Sequence, residues 1–148
     1  MWLNMAREDY QKALKKGERS YARYLSEGKY PYLQVLEELL SHTDVVAEED
    51  LGICSIPSEM IVGTFTAGRR TAFAPNFMPL LDDESEFAAK WQALYNAHLE
   101  EGIHDPIKCY EFMNRYYVLE GNKRVSVLKF CDAPVSYTHL RAHETSLH

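Results

Sequence analysis

YYVLEGNKRVSVLKF, residues 116–130, holds a strand, a turn and a helix in one short run. Tyr116 to Leu119 are aromatic, β-branched or leucine, the residue types that suit a pleated and partly buried strand. Glu120-Gly121-Asn122 closes that strand. Val125, Leu128 and Phe130 or Cys131 then recur at helical spacing, which predicts a helix from Asn122. Such a junction leaves the first backbone N–H groups of the helix without a carbonyl one turn earlier. Gly121 lets another group approach the backbone closely, and Lys123 and Arg124 add positive charge at the same turn. Cations at a helix N-terminus are unfavourable against the macrodipole, unless a phosphate or carboxylate lies between them and the amides. The alternative is a tight strand–helix turn whose cations are solvated or paired with Glu120. The full glycine spacing of a Walker or dinucleotide loop is absent.

Upstream, Ile107, Cys109 and Glu111 alternate with Lys108, Tyr110 and Phe112. Met113-Asn114-Arg115 can turn this strand back into Tyr116–Leu119, so a hairpin is expected over Ile107–Leu119. Before it, Phe87, Trp91, Leu94, Tyr95 and Leu99 form an aromatic stripe at helical spacing. Asp82 and Asp83 are candidate caps for that helix, and Gly102 is its stop. LGICSIP, from Leu51, reads as a short strand ended by Pro57. The next segment, IVGTFTAGRRTAFAPNFMPLL, carries too many glycines and prolines for a long helix. Within it, Arg69 and Arg70 follow a glycine and are flanked by threonines, a second candidate grip for a phosphate or an acidic partner. Solvated surface arginines are the competing reading.

The first 47 residues read as a helical arm. One helix is expected from about Met5 to Leu25, capped by Asn4 and stopped at Gly28, with Tyr10, Leu14, Tyr21, Tyr24 and Leu25 as its apolar stripe. A second is expected after Pro31, carrying Tyr32, Leu33, Val35, Leu36, Leu39 and Leu40. Lys12, Lys15, Lys16, Arg19 and Arg23 make the first helix basic, as a solvated face or as a surface for an anionic partner. Strand, hairpin and interspersed helices together give an α+β domain over residues 48–134, preceded by two N-terminal helices.

Composition narrows the function. Of 148 residues, 46% are hydrophobic and 26% charged, enough for a folded core. Sixteen Lys and Arg against 22 Asp and Glu leave −6, which argues against a general nucleic-acid binder, so no DNA partner is expected. No apolar run is long enough to span a membrane, and the N-terminus lacks a secretory apolar core. The three cysteines, Cys54, Cys109 and Cys131, make no CxxC pair, and a reducing cytoplasm with buried thiols is the expectation. Cys109 and Cys131 have no histidine at nucleophile–base spacing, Ser126 reads as a packing residue, and no catalytic residue is assigned.

The C-terminus reads differently. VSYTHLRAHET, Val135 to Thr145, resembles one reading frame of a common transposase-based sequencing adapter. Residues 135–148 are therefore expected to be adapter-derived, with the native frame ending near Pro134, a later strand missing and a sheet edge left exposed. A tail of that origin should make few contacts with the core. It also imitates a zinc site, since His139 and His143 are four apart with Glu144 beside them. On the adapter reading no metal is expected, and no cofactor.

The order of motifs resembles a known family. IPSEMIVG, the AGRR loop, EGIHDPIKCYEF and RYYVLEGNKRVSVLKF are similar to the ParB/sulfiredoxin-like domain over about Leu51 to Cys131. Gly102, Pro106 and Ile107 match that family's strand entry, and Gly121 and Arg124 its strand–helix turn. ParB nucleotidases carry Gly-Glu-Arg-Arg at this turn to engage nucleotide and metal. Asn122 and Lys123 replace the acid and the first arginine here, which retains phosphate contact without implying hydrolysis. Sulfiredoxins need a cysteine there, and Gly121-Asn122-Lys123-Arg124 has none. EDYQKALKKGERSY, KYPYLQVLEELL, IVGTFTAGRRTAFAPNFMPLL, SEFAAKW and YYVLEGNKRVSVLKF carry a closer resemblance, over nearly all of Met5 to Pro134. It is to the N-terminal region of certain bacterial basic-membrane-protein-type (BMP family) ABC transporter substrate-binding proteins. It implies a regulatory or nucleotide-sensing front module in the cytoplasm, with a nucleoside-binding domain further along the same chain. A nucleotide-dependent enzyme and a pure interaction scaffold are the alternatives. The expected anion site comprises Gly121, Asn122, Lys123 and Arg124, approached by Arg69 and Arg70.

Overall fold

The computed structural model of the chain describes residues 2–40, 44–47, 52–65, 67–68 and 70–144. The region around Gly121 forms as expected. Strands β5 (Ile107–Phe112) and β6 (Arg115–Glu120) pair antiparallel, and helix α4 (Asn122–Phe130) follows after the single residue Gly121. Met113 and Asn114 make the hairpin turn with φ of 51° and 64°, the left-handed pair that matches strand twist. Helix α3 (Glu86–Glu101) ends at Gly102, in a positive-φ conformation. Its cap is Ser85, whose side chain accepts from the Ala88 amide at 3.0 Å. Asp82 acts one step earlier, accepting from the Glu84 amide at 2.9 Å.

Helix α1 spans Trp2–Ser26, so Asn4 lies inside it and does not cap it. Gly28 (φ 70°) stops it, and the Lys29 amide returns to the Tyr24 carbonyl at 2.8 Å. The buried stripe of α1 is Ala6, Tyr10, Ala13, Gly17 and Ser20. Leu14, Tyr21 and Tyr24 are half-buried, whereas Leu25 is exposed. Gly17 has a packing reason: a Cβ there would lie 2.2 Å from the Pro79 carbonyl oxygen. Lys12, Lys15, Lys16, Arg19 and Arg23 are all exposed.

The second N-terminal helix is a single turn. Gln34–Val35 form β1, and only Leu36–Leu39 are helical, as α2. Pairing with the sheet overrides the helical spacing. β1 lies parallel to β4 (Ile61–Thr64), Gln34 opposite Gly63 and Val35 opposite Thr64. Gly63 permits this, because a Cβ there would stand 2.4 Å from the Gln34 carbonyl oxygen. Leu33, Val35 and Leu36 are buried all the same.

The sheet runs β1-β4-β6-β5-β7-β2, with β2 at Asp44–Ala47 and β7 at Val135–Glu144. β3 (Ile53–Ile56) also pairs with β7. The expectation that residues beyond Pro134 contact the core little is therefore corrected. β7 lies parallel to β5 and antiparallel to both β2 and β3, and Val135 is fully buried. The physical reason is the open edge of β5. An unpaired strand edge accepts any segment with strand-forming residues, whatever its origin, and Val135, Tyr137 and Thr138 are such residues.

Helices α1, α3 and α4 cover one face of the sheet. Tyr10, Phe73, Phe77, Trp91, Val118 and Leu128 are among the residues of that core, so the N-terminal arm and the domain share their packing. A smaller cluster of Leu36, Tyr110 and Tyr117 lies apart from it, with Phe65 stacked on Tyr110 at 4.2 Å. Ser126 is buried on α4 and accepts from the Trp91 indole N–H at 2.9 Å, which fixes α4 against α3. Cys109 is buried, and Cys54 and Cys131 are half-buried. Among the described residues no helix is long and apolar enough to cross a membrane.

Candidate functional site

α4 can begin abruptly because Gly121 adopts φ 110° and ψ 29°, a conformation that costs other residues steric strain. No side chain caps the helix at this residue. The Val125 amide is the first to bond back, to the Gly121 carbonyl at 2.9 Å. A Cβ on Gly121 would meet Ile107 Cδ1 at 2.8 Å and Arg124 Nη2 at 3.0 Å, so the Arg124 guanidinium lies close against the turn. Arg124 also reaches the Asp105 carbonyl, at a long 3.4 Å.

Asn122 anchors the turn to the sheet. Its Nδ2 donates to Thr64 Oγ1 at 3.2 Å, and that hydroxyl donates to the Val118 carbonyl at 3.1 Å. Its Oδ1 is buried without a hydrogen-bond partner. Asn122 thus positions the turn and has no accessible oxygen to offer. Lys123 extends the other way, its Nζ 5.5 Å from the centre of the Phe87 ring. Its ammonium lies over the aromatic face while its stem packs on apolar surface.

These four residues floor a cavity of about 320 Å³, whose remaining lining among the described residues is Phe73, Phe87 and Leu94. Three of the expected site residues, Gly121, Lys123 and Arg124, therefore share one cavity with Asn122 as their anchor. Phe87 and Leu94 belong to the stripe read from the sequence, to which no site role was assigned. They are seven residues apart on α3 and so share a face, the one signal that they could wall a site together.

Arg70 is placed elsewhere. It bonds Glu38 of α2 at 2.6 Å and lies over the Tyr30 ring at 5.3 Å. Both contacts hold its guanidinium at once, and it is not part of the cavity lining. Arg69 lies outside the described residues. Phe73, three residues beyond Arg70, adds an apolar wall to the cavity.

Among the described residues no group of His, Cys, Asp and Glu could hold a metal ion. Burial pushes the Cys109 thiol up to about 12, which makes it a poor nucleophile. His104 sits in the turn after α3, its Nε2 2.9 Å from the Glu101 carbonyl oxygen. No family model, no curated protein and no solved structure matches this chain.

Proposed function

We propose that this chain is a binding module for a small phosphate-bearing molecule, held at the Gly121–Arg124 turn. The observation that carries this reading is one cavity that joins an uncapped helix N-terminus and two cations to an apolar wall of Phe73, Phe87 and Leu94. The amides and cations suit a phosphate, and the wall suits a flat or apolar remainder. The volume lies at the small end of ligand pockets, roughly 300–1,000 Å³, so a mononucleotide-sized ligand fits better than a dinucleotide. The resemblance in the sequence supports a fuller setting: a cytoplasmic sensing or regulatory module of a BMP-type transporter protein, acting by binding and not by turnover.

Titration calorimetry with the common nucleotides, run beside a phosphate-release assay, tests this. Binding without release supports the module, release supports a nucleotide-dependent enzyme, and silence in both supports a scaffold. Arg124→Ala is expected to weaken the nucleotide that binds about ten- to a hundredfold, the loss of one charged hydrogen-bonding partner. Its thermal midpoint should stay near that of the parent. Unfolding of Arg124→Ala together with a blank ligand screen makes Arg124 a structural clamp and removes the site.

A further inference from the structure

A second, larger cavity of about 530 Å³ lies at the other end of α4 and shares no lining residue with the first. Its aromatic lining is Tyr24, Tyr30 and Tyr32, which close the gap between the end of α1 and β1. Tyr32 meets Tyr30 and Tyr21 edge to face, each at 5.5 Å. Ile61, Val62 and Pro75 add apolar surface opposite. Among the described residues, three cations, Lys29, Arg115 and Lys129, line the space with a single acid, Glu59. A local excess of positive charge is notable in a chain whose net charge is −6.

Lys129 is the group that packing alone leaves unexplained. Its Nζ lies 5.3 Å over the Phe77 ring, and among the described residues it has no ion-pair partner. Lys29, by contrast, pairs with Glu27 at 3.0 Å. Burial holds the Lys129 ammonium down to about 8, with Glu59 only partly opposing it. A desolvated cation at the wall of a cavity is stabilised by any anion that enters.

We propose that this cavity binds a small aromatic anion, its ring among the three tyrosines and its carboxylate or phosphate turned toward Lys129. Ring faces and edges contribute apolar area with defined geometry, and the cations select the charge. The site is independent of the phosphate module proposed above.

The test is a calorimetric titration of the full chain with benzoate, phenyl phosphate and phenol. Saturable binding of at least one anion is expected, with phenol at least tenfold weaker. The stronger anion identifies the headgroup. Lys129→Met should weaken that anion about tenfold or more, the loss of a charged partner. Tyr30→Ala, at a ring already half exposed, should weaken it severalfold without unfolding the chain. Arg124→Ala should leave it unchanged, which separates the two cavities. The proposal is overturned by no saturable binding of either anion, by phenol binding as well as they do, or by sensitivity to Arg124→Ala in place of Lys129→Met.

Discussion

The two ends of α4 carry opposite electrostatic problems. At its start, Lys123 and Arg124 are half-buried and stand at the positive end of the helix dipole, where cations are disfavoured. At its finish, Lys129 stands at the negative end, where a cation is favoured, yet burial lowers its ammonium pKa to about 8. Burial accounts for the reversal. A surface dipole interaction is worth about 0.3–1 kcal/mol, whereas removing an ammonium from water costs several times that. Position along a helix therefore predicts less about a lysine than its access to solvent does. Between the ends, Val125, Ser126, Val127 and Leu128 are buried, so both cavities hang on one packed segment.

Severing that segment should have the largest effect. Trp91→Ala removes a fully buried indole and leaves the Ser126 hydroxyl without its donor. A loss of roughly 3–5 kcal/mol is expected in urea unfolding, with binding at both ends of α4 lost together. Retained binding at either end would show that α4 does not couple them. Gly121→Ala acts on the start alone, forcing a side chain into φ 110° and against Ile107. It should cost about 1–3 kcal/mol and weaken phosphate binding although Arg124 is still present. Wild-type stability with unchanged affinity would mean the turn is not held as described.

Lys129→Met acts on the finish alone, and the expected change is a gain. An amine whose folded value is depressed from 10.5 to about 8 binds fewer protons folded than unfolded between those values. The unfolded state then holds more protons, so stability rises with pH across that window. Below about 8 both states are charged and the burial penalty is complete. Lys129→Met should thus be more stable than the parent at pH 7, by roughly 1–2 kcal/mol after solvent screening. The advantage should shrink by pH 10. Glu59, Lys29 and Arg115 face the same cavity and remain in both proteins, so the difference isolates Lys129. A pH-independent difference would assign the effect to packing.

What could be read in advance follows from contact range. Residues 107–130 are a hairpin and a helix joined by one glycine, and their alternation, turn and helical spacing were all legible. The turn at Gly121–Arg124 was legible for the same reason. The walls of its cavity were not, since Phe73 and Phe87 reach Lys123 across more than thirty positions of sequence. Arg70 misled because nothing local shows that Glu38 and Tyr30 would capture it. The Pro31–Leu40 run misled because its apolar spacing suits a helix, while Gly63 offers a strand partner far along the chain. β7 was hidden by a reading of its origin, although an open β5 edge takes no account of origin.

The two-residue turn at Met113–Asn114 also has a meaning in time. It brings β5 and β6 together with almost no loop to close, and a hairpin of that kind forms in about 1–10 μs. β4 joins β6 across some fifty residues, and among the described strands β1 pairs with β4 alone. Residues 107–130 are therefore the natural nucleus, and the N-terminal arm arrives late. In stopped-flow refolding, Val118→Ala should slow folding, while Val35→Ala should chiefly speed unfolding. The reverse pattern would place the nucleus at the β1–β4 pair.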